Sequence, residues 1–534
     1  MNVEYVSYRE TAYFSDLICD YLEDKNSLQS FHSGFPSAEN LYRQALLKKN
    51  DYSDHNRDHL ALALKNQYEG LEVSLEVKKN LDLLKEKNTL TITTGHQLSL
   101  MTGPLYFIYK IITTIKISRE LQEKYPDLNY VPVYWMATED HDFEEISAFV
   151  FQGKKFKWNQ QQEGAVGKID TASLESLLNL FEKELGNGLN ASSLKKLIAA
   201  SYRDQKDLTA ATRVFVNHLF GKFGLVIVDG DDSILKRDFA PYAREELNKN
   251  NCHSEVLNQI EKIKEEYSAT YKPQVNPREV NLFYLTPGAR YRITQEGSIF
   301  HLEGSQTSFT SEEIENELAN HPERFSPNVL MRPLYQEVVL PNIAYIGGGG
   351  ELAYWLELKS FFNQQKVLFP LLCLRNSALL LSEKSAKKAK QLELSVSDLF
   401  LKRNALINKK VRQISNIELD LSFLKDALEK QFDHLESLVA VTDASFSGAV
   451  KAQKIKQFKG IDSLEGRLLK AQKIKLKDHV ERLILLHENL FPNESLQERV
   501  NNFASFYLEN GENLMDILYE SFDPLSYKFT LITF

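Results

Sequence analysis

"TITTGHQLSLMTGPLYFIYK", Thr91 to Lys110, decides how this chain is read. The β-branched run Thr89–Thr94 reads as a strand, and Gly95 stops it. Pro104 suits the first position of a helix, where its missing N–H costs nothing. Leu105, Ile108, Ile112 and Ile115 then recur at helical spacing. A strand that turns through glycine into a helix offers unpaired N–H groups and a positive dipole end, which suit phosphate or carboxylate. Gly95 and Gly103 would let a ligand approach the backbone, and His96, Gln97 and Thr102 would add polar contacts. The plainer reading is a loop whose glycines only make turns.

Working outward, Tyr130–Glu139, Phe223–Asp232, Ile343–Glu351 and Lys366–Arg375 read as further strands. Strands alternating with helices imply βαβ units and a doubly wound, parallel α/β sheet. Ligands of such sheets sit beyond the carboxyl ends of the strands. Val280–Gly304 reads as an antiparallel hairpin with a Pro-Gly turn, part of an insertion. After about Leu380 the chain becomes charged and poor in Gly and Pro. Leu469, Lys473, Leu476, Val480, Leu483, His487 and Leu490 alternate steps of four and three, a heptad seam. The expected organisation is a core over 1–379 with insertions at about 150–222 and 240–325. A helical coiled-coil domain over 380–491 follows, then a segment over 492–534 that returns to the core. The closing "KFTLITF" reads as a strand of the main sheet.

The 534 residues carry a formal net charge of −9, which argues against nucleic acid as a partner. The most apolar run, "LYFIYKIITTIKI", is interrupted by Lys110 and Lys116, so no bilayer span is expected. The opening "MNVEYVSYRE" lacks a secretory pattern. Cys19, Cys252 and Cys373 form neither a disulfide framework nor a CxxC pair. A cytoplasmic protein is the expectation.

Two more stretches carry chemistry. "ATEDHDFEE" brings Glu139, Asp140, His141, Asp142, Glu144 and Glu145 to the end of the second strand. Such a cluster can act as a base, hold an ammonium group or bind Mg²⁺; the plainer alternative is an acidic helix start capped by Asp140 or Asp142. His141 has no partner at metal-ligand spacing, so no metal site is assigned. Gly347 to Gly350 precede a helix expected to start near Glu351, but the third glycine of G-x-G-x-x-G would fall on Leu352, so the dinucleotide pattern fails. Nearby, Arg332 could pair with a carboxylate or phosphate, Gln336 could hydrogen-bond it, and Tyr354 could stack or donate. Arg375 could face the same cleft. The plainer alternative puts Arg332 in a structural ion pair.

Together, "TTGHQLSLMTGPLYFIYK", "VPVYWMATEDHDFEEI", "MRPLYQEVVLPNIAYIGGGGELAYW", "FPLLCLRNSALLL" and "LFPNESLQERVNNFASFYLENG" resemble, in order and over most of the chain, the BshC family of cysteine-adding ligases of bacillithiol biosynthesis. The resemblance implies a Rossmann-like core with connecting insertions and a coiled coil that makes a homodimer. It implies a ligase that joins the cysteine carboxyl group to the amine of glucosaminyl-malate, and an adenine nucleotide (ATP or ADP) as cofactor. Many relatives have glutamine where this chain has His96, which shifts weight to Gly95, Gln97 and Gly103. Relatives often read Gly-Gly-Pro-Ala-Glu where this chain has 347–351, so Gly347, Gly348 and Glu351 carry over. Amide formation needs an activated carboxyl group, usually an acyl-adenylate or acyl-phosphate. Gln97, Asp140, His141 and Asp142 are the catalytic candidates; Mg²⁺ would accompany the nucleotide, and cysteine would be recognised without zinc. A nucleotidyltransferase with another acceptor and a non-catalytic ligand-binding scaffold stand as alternatives.

Overall fold

Five parallel strands make the central sheet of the computed structural model, which describes residues 2–160, 164–439, 441–443 and 445–534. In chain order they are β1 (Thr89–His96), β2 (Asn129–Met136), β3 (Val226–Asp229), β4 (Asn342–Gly347) and β5 (Leu371–Leu374). Their spatial order is β5-β4-β1-β2-β3, and every neighbouring pair runs parallel. The Rossmann-like α/β reading therefore holds. β1 and β2 pair over eight residues, from Thr89 opposite Asn129 to His96 opposite Met136.

Parallel strands survive only when both faces are covered, and these are nearly continuously buried. Leu90, Ile92, Tyr130, Ile343, Ile346, Leu371 and Cys373 form one apolar cluster with Ile117 and Leu121 of helix α1 (Tyr106–Lys124). Each such side chain contributes about 1.5–3 kcal/mol by leaving water, so truncating Ile92 to Ala would cost about 2–5 kcal/mol. α1 ends at Lys124 because Pro126 bars a helical conformation at Tyr125. Within the sheet, Thr93 Oγ1 donates to Asn342 Oδ1 at 2.8 Å and ties β1 to β4.

The chain divides into two units, residues 1–379 with 497–532, and 380–496 with 533–534. In the first, the expected hairpin is present, Leu282–Thr286 against Ala289–Glu296, within a separate five-stranded antiparallel sheet. Gly288 of its turn has φ +86°, which its missing Cβ permits. The closing strand corrects the expectation. Lys528–Thr533 joins not the parallel sheet but a three-stranded one beside Asn2–Ser7. A six-residue strand does not encode its neighbour. Pro104 also stands outside the helix it was expected to open, since α1 begins at Tyr106. The glycine-led helix starts earlier than expected, at Gly349.

The second unit is helical. Ser422–Val439 and Ser445–Lys475 lie antiparallel, tied by Lys425–Asp462 at 2.5 Å and by a Glu429–Lys454 pair. The heptad seam is divided: Leu476 leaves the helical region (φ −99°, ψ 28°), and Lys477–Leu490 is a separate helix. Leu483, His487 and Leu490 are buried on that helix, and His487 Nε2 donates to the Leu401 carbonyl at 3.1 Å. No described helix is long and apolar enough to cross a membrane.

Candidate active site

The strand order reverses between β1 and β4, so the chain leaves these two strands in opposite directions and opens a crevice at their carboxyl ends. A cavity of ≈ 520 Å³ occupies that place. It receives residues from the ends of β1, β2, β4 and β5, from α1 and from the antiparallel insertion.

The β1–β4 side is cationic. Lys110, buried in α1, donates to the Gly95 carbonyl at 2.8 Å and meets Glu351 Oε2 at 2.6 Å. Glu351 also accepts the Gly348 N–H at 2.9 Å and the Tyr345 hydroxyl at 2.8 Å. Burial alone would raise its pKa, but the Lys110 charge and these hydrogen bonds hold it at about 2. Glu351 is thus a pin joining two strand ends. Arg332 stacks on the Tyr345 ring at 5.7 Å and donates to Gln336 Oε1 at 3.0 Å. A Cβ on Gly95 would lie 3.2 Å from Arg332 Nη1, so glycine there makes room for the guanidinium. Arg375, 3% exposed, spends its Nη atoms on Glu498 at 2.7 Å, the Asn376 carbonyl and Ser377 Oγ. Its Nε is buried with no hydrogen-bond partner among the described residues, and it is 3.7 Å from where a Gly348 Cβ would stand. Tyr354 and Arg499 complete this wall.

The β2 side is acidic. Gln97 Nε2 donates to Asp140 Oδ2 at 2.6 Å, and the His141 N–H donates to Oδ1 at 2.8 Å. Burial opposes ionisation of Asp140, yet the hydrogen bonds from His141 and Gln97 and the nearby Arg290 hold its pKa well below the usual carboxylate range. Arg290 comes from the hairpin and donates to His141 Nδ1 at 3.0 Å and to the Pro327 carbonyl at 2.9 Å. Since Arg290 can only donate, His141 Nδ1 is an acceptor. Glu139 pairs with buried Lys236. His96 is neutral, because burial first and the Lys110 charge second lower its pKa to about 4. Its Nδ1–H donates to the Gln97 carbonyl at 2.8 Å, which leaves Nε2 as an acceptor.

The cavity wall thus gathers Gly95, His96, Gln97, Asp140, Gly348 and Arg375 from four strand ends, Glu351 and Tyr354 from helix Gly349–Trp355, and Arg332 from helix Met331–Val339. The other candidates stand outside it. Asp142 is exposed and caps Phe143–Ile146 by accepting the Glu145 N–H at 3.2 Å, the plainer of its two readings. His141 is exposed behind Asp140, and Gln336 is buried behind Arg332. Gly347 closes β4, where a Cβ would lie 3.0 Å from Leu352. Thr102 is buried in the turn before α1, and Gly103 follows it at φ +62° with Ser99 where its Cβ would be. That turn does not offer an anion site. The Leu105 N–H donates to the Asn501 carbonyl at 2.9 Å, and the Asn502 amide donates to the carbonyls of Met101 and Gly103. Lys110, Arg290 and Arg499 were not among the sequence candidates. Lys110 had a signal, a lone charge inside an apolar helical face; Arg290 and Arg499 had none.

Comparison with known proteins agrees with this architecture. Residues 1–376 match the family model described as "Bacillithiol biosynthesis BshC, N-terminal Rossmann-like domain". Residues 378–534 match "Bacillithiol biosynthesis BshC, C-terminal coiled-coil domain". A Flavobacterium johnsoniae protein named "Putative cysteine ligase BshC" is 51% identical over 533 residues, covering 100% of both chains. Proteins of the same name from Christiangramia forsetii, 51% identical over 99% of this chain and 98% of that one, and Flavobacterium psychrophilum, 48% identical over 100% and 99%, are similar throughout. With both models matched in order across the two units, the chain belongs to the bacillithiol biosynthesis BshC family.

Proposed function

We propose that this chain is a cytoplasmic ligase that joins the carboxyl group of cysteine to the amine of glucosaminyl-malate, forming an amide. The observation that carries the reading is the division of charge around one cavity. Lys110, Arg332, Arg375 and Arg499, with Glu351 pinned among them, stand on one side, and Glu139, Asp140 and Glu145, with Arg290 beside Asp140, on the other. One substrate brings carboxylates and a sugar amine, and the other brings a carboxylate and an ammonium group. A cleft with separate cationic and anionic walls orients both.

The cationic wall suits the malyl carboxylates, with Arg332 and the unpaired Nε of Arg375 as donors. Asp140, ionised at neutral pH and fixed by Gln97, binds an ammonium group rather than removing a proton. His96 Nε2 accepts a hydrogen bond from the attacking amine, a role that the glutamine of relatives can share. The C–N bond of the amide forms as the amine nitrogen attacks the activated cysteine acyl carbon; the carboxyl oxygen would depart with the phosphoryl group that activated it, and the amine proton passes to water. The same cations suit the phosphates of an adenine nucleotide, which when bound would supply the activation of that carboxyl. Magnesium would enter with those phosphates, because Glu139 and Asp140 already have protein partners. The helical unit exposes apolar side chains, among them Phe446 and Leu464 on one face of Ser445–Lys475, to which a second copy can associate. Light scattering on the purified chain checks this; a monomeric mass would refute it.

The test of the reaction is direct. Purified chain is incubated with glucosaminyl-malate, cysteine and ATP or ADP, and bacillithiol is sought by mass spectrometry. Product formed by the wild type and not by Asp140→Asn supports the reading. No product in any combination, or pyrophosphate release that does not depend on cysteine, sinks it.

A further inference from the structure

Away from the cavity, two histidines and one aspartate meet between neighbouring helices of the first unit. His55 and His59 lie four residues apart on Asp54–Gln67, so they project from one helix face. Asp238 comes from Ser233–Lys249. His59 Nδ1 is 2.8 Å and His55 Nε2 is 3.7 Å from the same Asp238 Oδ1. The two imidazole rings are 4.1 Å apart. The candidate ligand atoms all lie within 4.8 Å of one another, and among the described residues no other group of His, Cys, Asp and Glu does so.

A second observation points to a ligand. The Asp238 side chain is 4% exposed, and its Oδ2 is buried with no hydrogen-bond partner among the described residues. A buried carboxylate oxygen without a donor is costly, by about 1–3 kcal/mol or more, and rare in native structures. Two imidazoles beside it are the ligands that borderline divalent metals prefer. Ligand atoms at about 2.0–2.1 Å from a tetrahedral zinc ion lie about 3.3 Å from each other. The two separations from Asp238 Oδ1, 2.8 and 3.7 Å, straddle that value and the His55–His59 separation is within 4.8 Å, so rotations of the exposed His55 and of His59 bring the set together. Hard cations such as Mg²⁺ need more oxygen ligands than one aspartate provides.

We propose that His55, His59 and Asp238 form a binding site for one zinc-type divalent cation that clips helix Asp54–Gln67 to helix Ser233–Lys249. The metal takes the place that the His59 Nδ1 proton holds against Asp238, and the ring keeps its one proton on Nε2, the tautomer that leaves Nδ1 free to ligate. His55 is exposed, which gives the ion an entry path and leaves its fourth position to water. The site is independent of the ligase reading, because none of its residues lines the cavity.

The experiment uses the full-length, tag-free protein, loaded with Zn²⁺, desalted and analysed for metal. Wild type is expected to keep about one zinc per chain, and the variants His55→Ala and His59→Ala much less. Loading with Co²⁺ should give the intense visible bands of a tetrahedral ion in the wild type only. Because His55 is exposed, its replacement leaves the fold intact, and circular dichroism verifies this. Zn²⁺ should also raise the melting temperature of the wild type and not of His55→Ala. Equal zinc retention by wild type and His55→Ala/His59→Ala, or none by either, overturns the proposal.

Discussion

Replacing Lys110 by methionine tests the pin at the centre of the site. The change keeps the length of the side chain but leaves Glu351 without its cation. Glu351 is held at about 2 against an ordinary 4.5, which at about 1.4 kcal/mol per pH unit is about 3 kcal/mol of stabilisation of the folded state. Two effects trim this. Glu351 is 29% exposed, so solvent screens it. Lys110 is 3% exposed, and desolvation lowers its pKa in spite of the carboxylate, so it bears the cost of burial while Glu351 shows the gain. Breaking one side of a buried pair strands the other charge, and losses of about 3–5 kcal/mol are typical. We expect Lys110→Met to destabilise the first unit by about 2–3 kcal/mol, and Lys110→Met/Glu351→Gln to recover most of that. Because the Glu351 pKa falls on folding, its contribution is complete above about pH 4.5 and is lost as pH falls towards 2. Trp135, Trp158 and Trp355 all lie in the first unit, and the sequence has three tryptophans. Urea unfolding followed by tryptophan fluorescence therefore reports this unit alone, which avoids the problem of two units melting separately. If the single variant loses less than about 1 kcal/mol, or the double variant is no more stable than the single, the charge-pin argument is wrong.

Other substitutions separate neighbours in sequence. Asp140→Asn should cut turnover about 100-fold or more, whereas Asp142→Asn, on an exposed cap where asparagine serves equally well, should leave it nearly unchanged; the reverse order would refute the placement of the acidic wall. Gly348→Ala puts a methyl group 3.7 Å from Arg375 Nε, an ordinary contact for the fold but an obstruction to an anion. It should raise KM for glucosaminyl-malate roughly tenfold with kcat less affected, and an unchanged KM argues against that subsite. His96, held at about 4, stays neutral between about pH 5 and 8, so the pH–rate profiles of wild type and His96→Gln should overlay there. A limb near pH 6.5 present only in the wild type would show that the ring titrates during turnover.

The strands were legible because each is a short apolar or β-branched run, most of them ended by glycine or acid, as at Thr94–Gly95 and Asp229–Gly230, and the last by Arg375. Their order was not, since which strands pair is decided by packing across the sheet. The cavity residues next to strand ends followed from the rule that ligands bind at carboxyl edges. Arg290 could not be found that way, for it reaches Asp140 from a hairpin about 150 residues later in the chain. Gly103 misled in the opposite sense: its glycine answers a positive φ against Ser99, and the helix beyond is closed by Asn501 and Asn502. The break at Leu476 has no proline or glycine to mark it, so the heptad pattern ran straight through. The His55–His59 spacing was visible, but its carboxylate lies 179 residues from His59.

The first unit is discontinuous, with the whole helical domain inserted between residues 379 and 497. Glu498, Arg499 and Asn502 therefore leave the ribosome long after the five strands have been made. Until they arrive, Arg375 lacks the carboxylate of Glu498, the cavity lacks Arg499 and the turn at Gly103 lacks the Asn502 amide. A nascent chain can begin to assemble its sheet early, but its cavity cannot mature before residues 498–502 have been made. Premature stop codons late in the message should thus leave proteolysis-prone fragments rather than a trimmed but working enzyme.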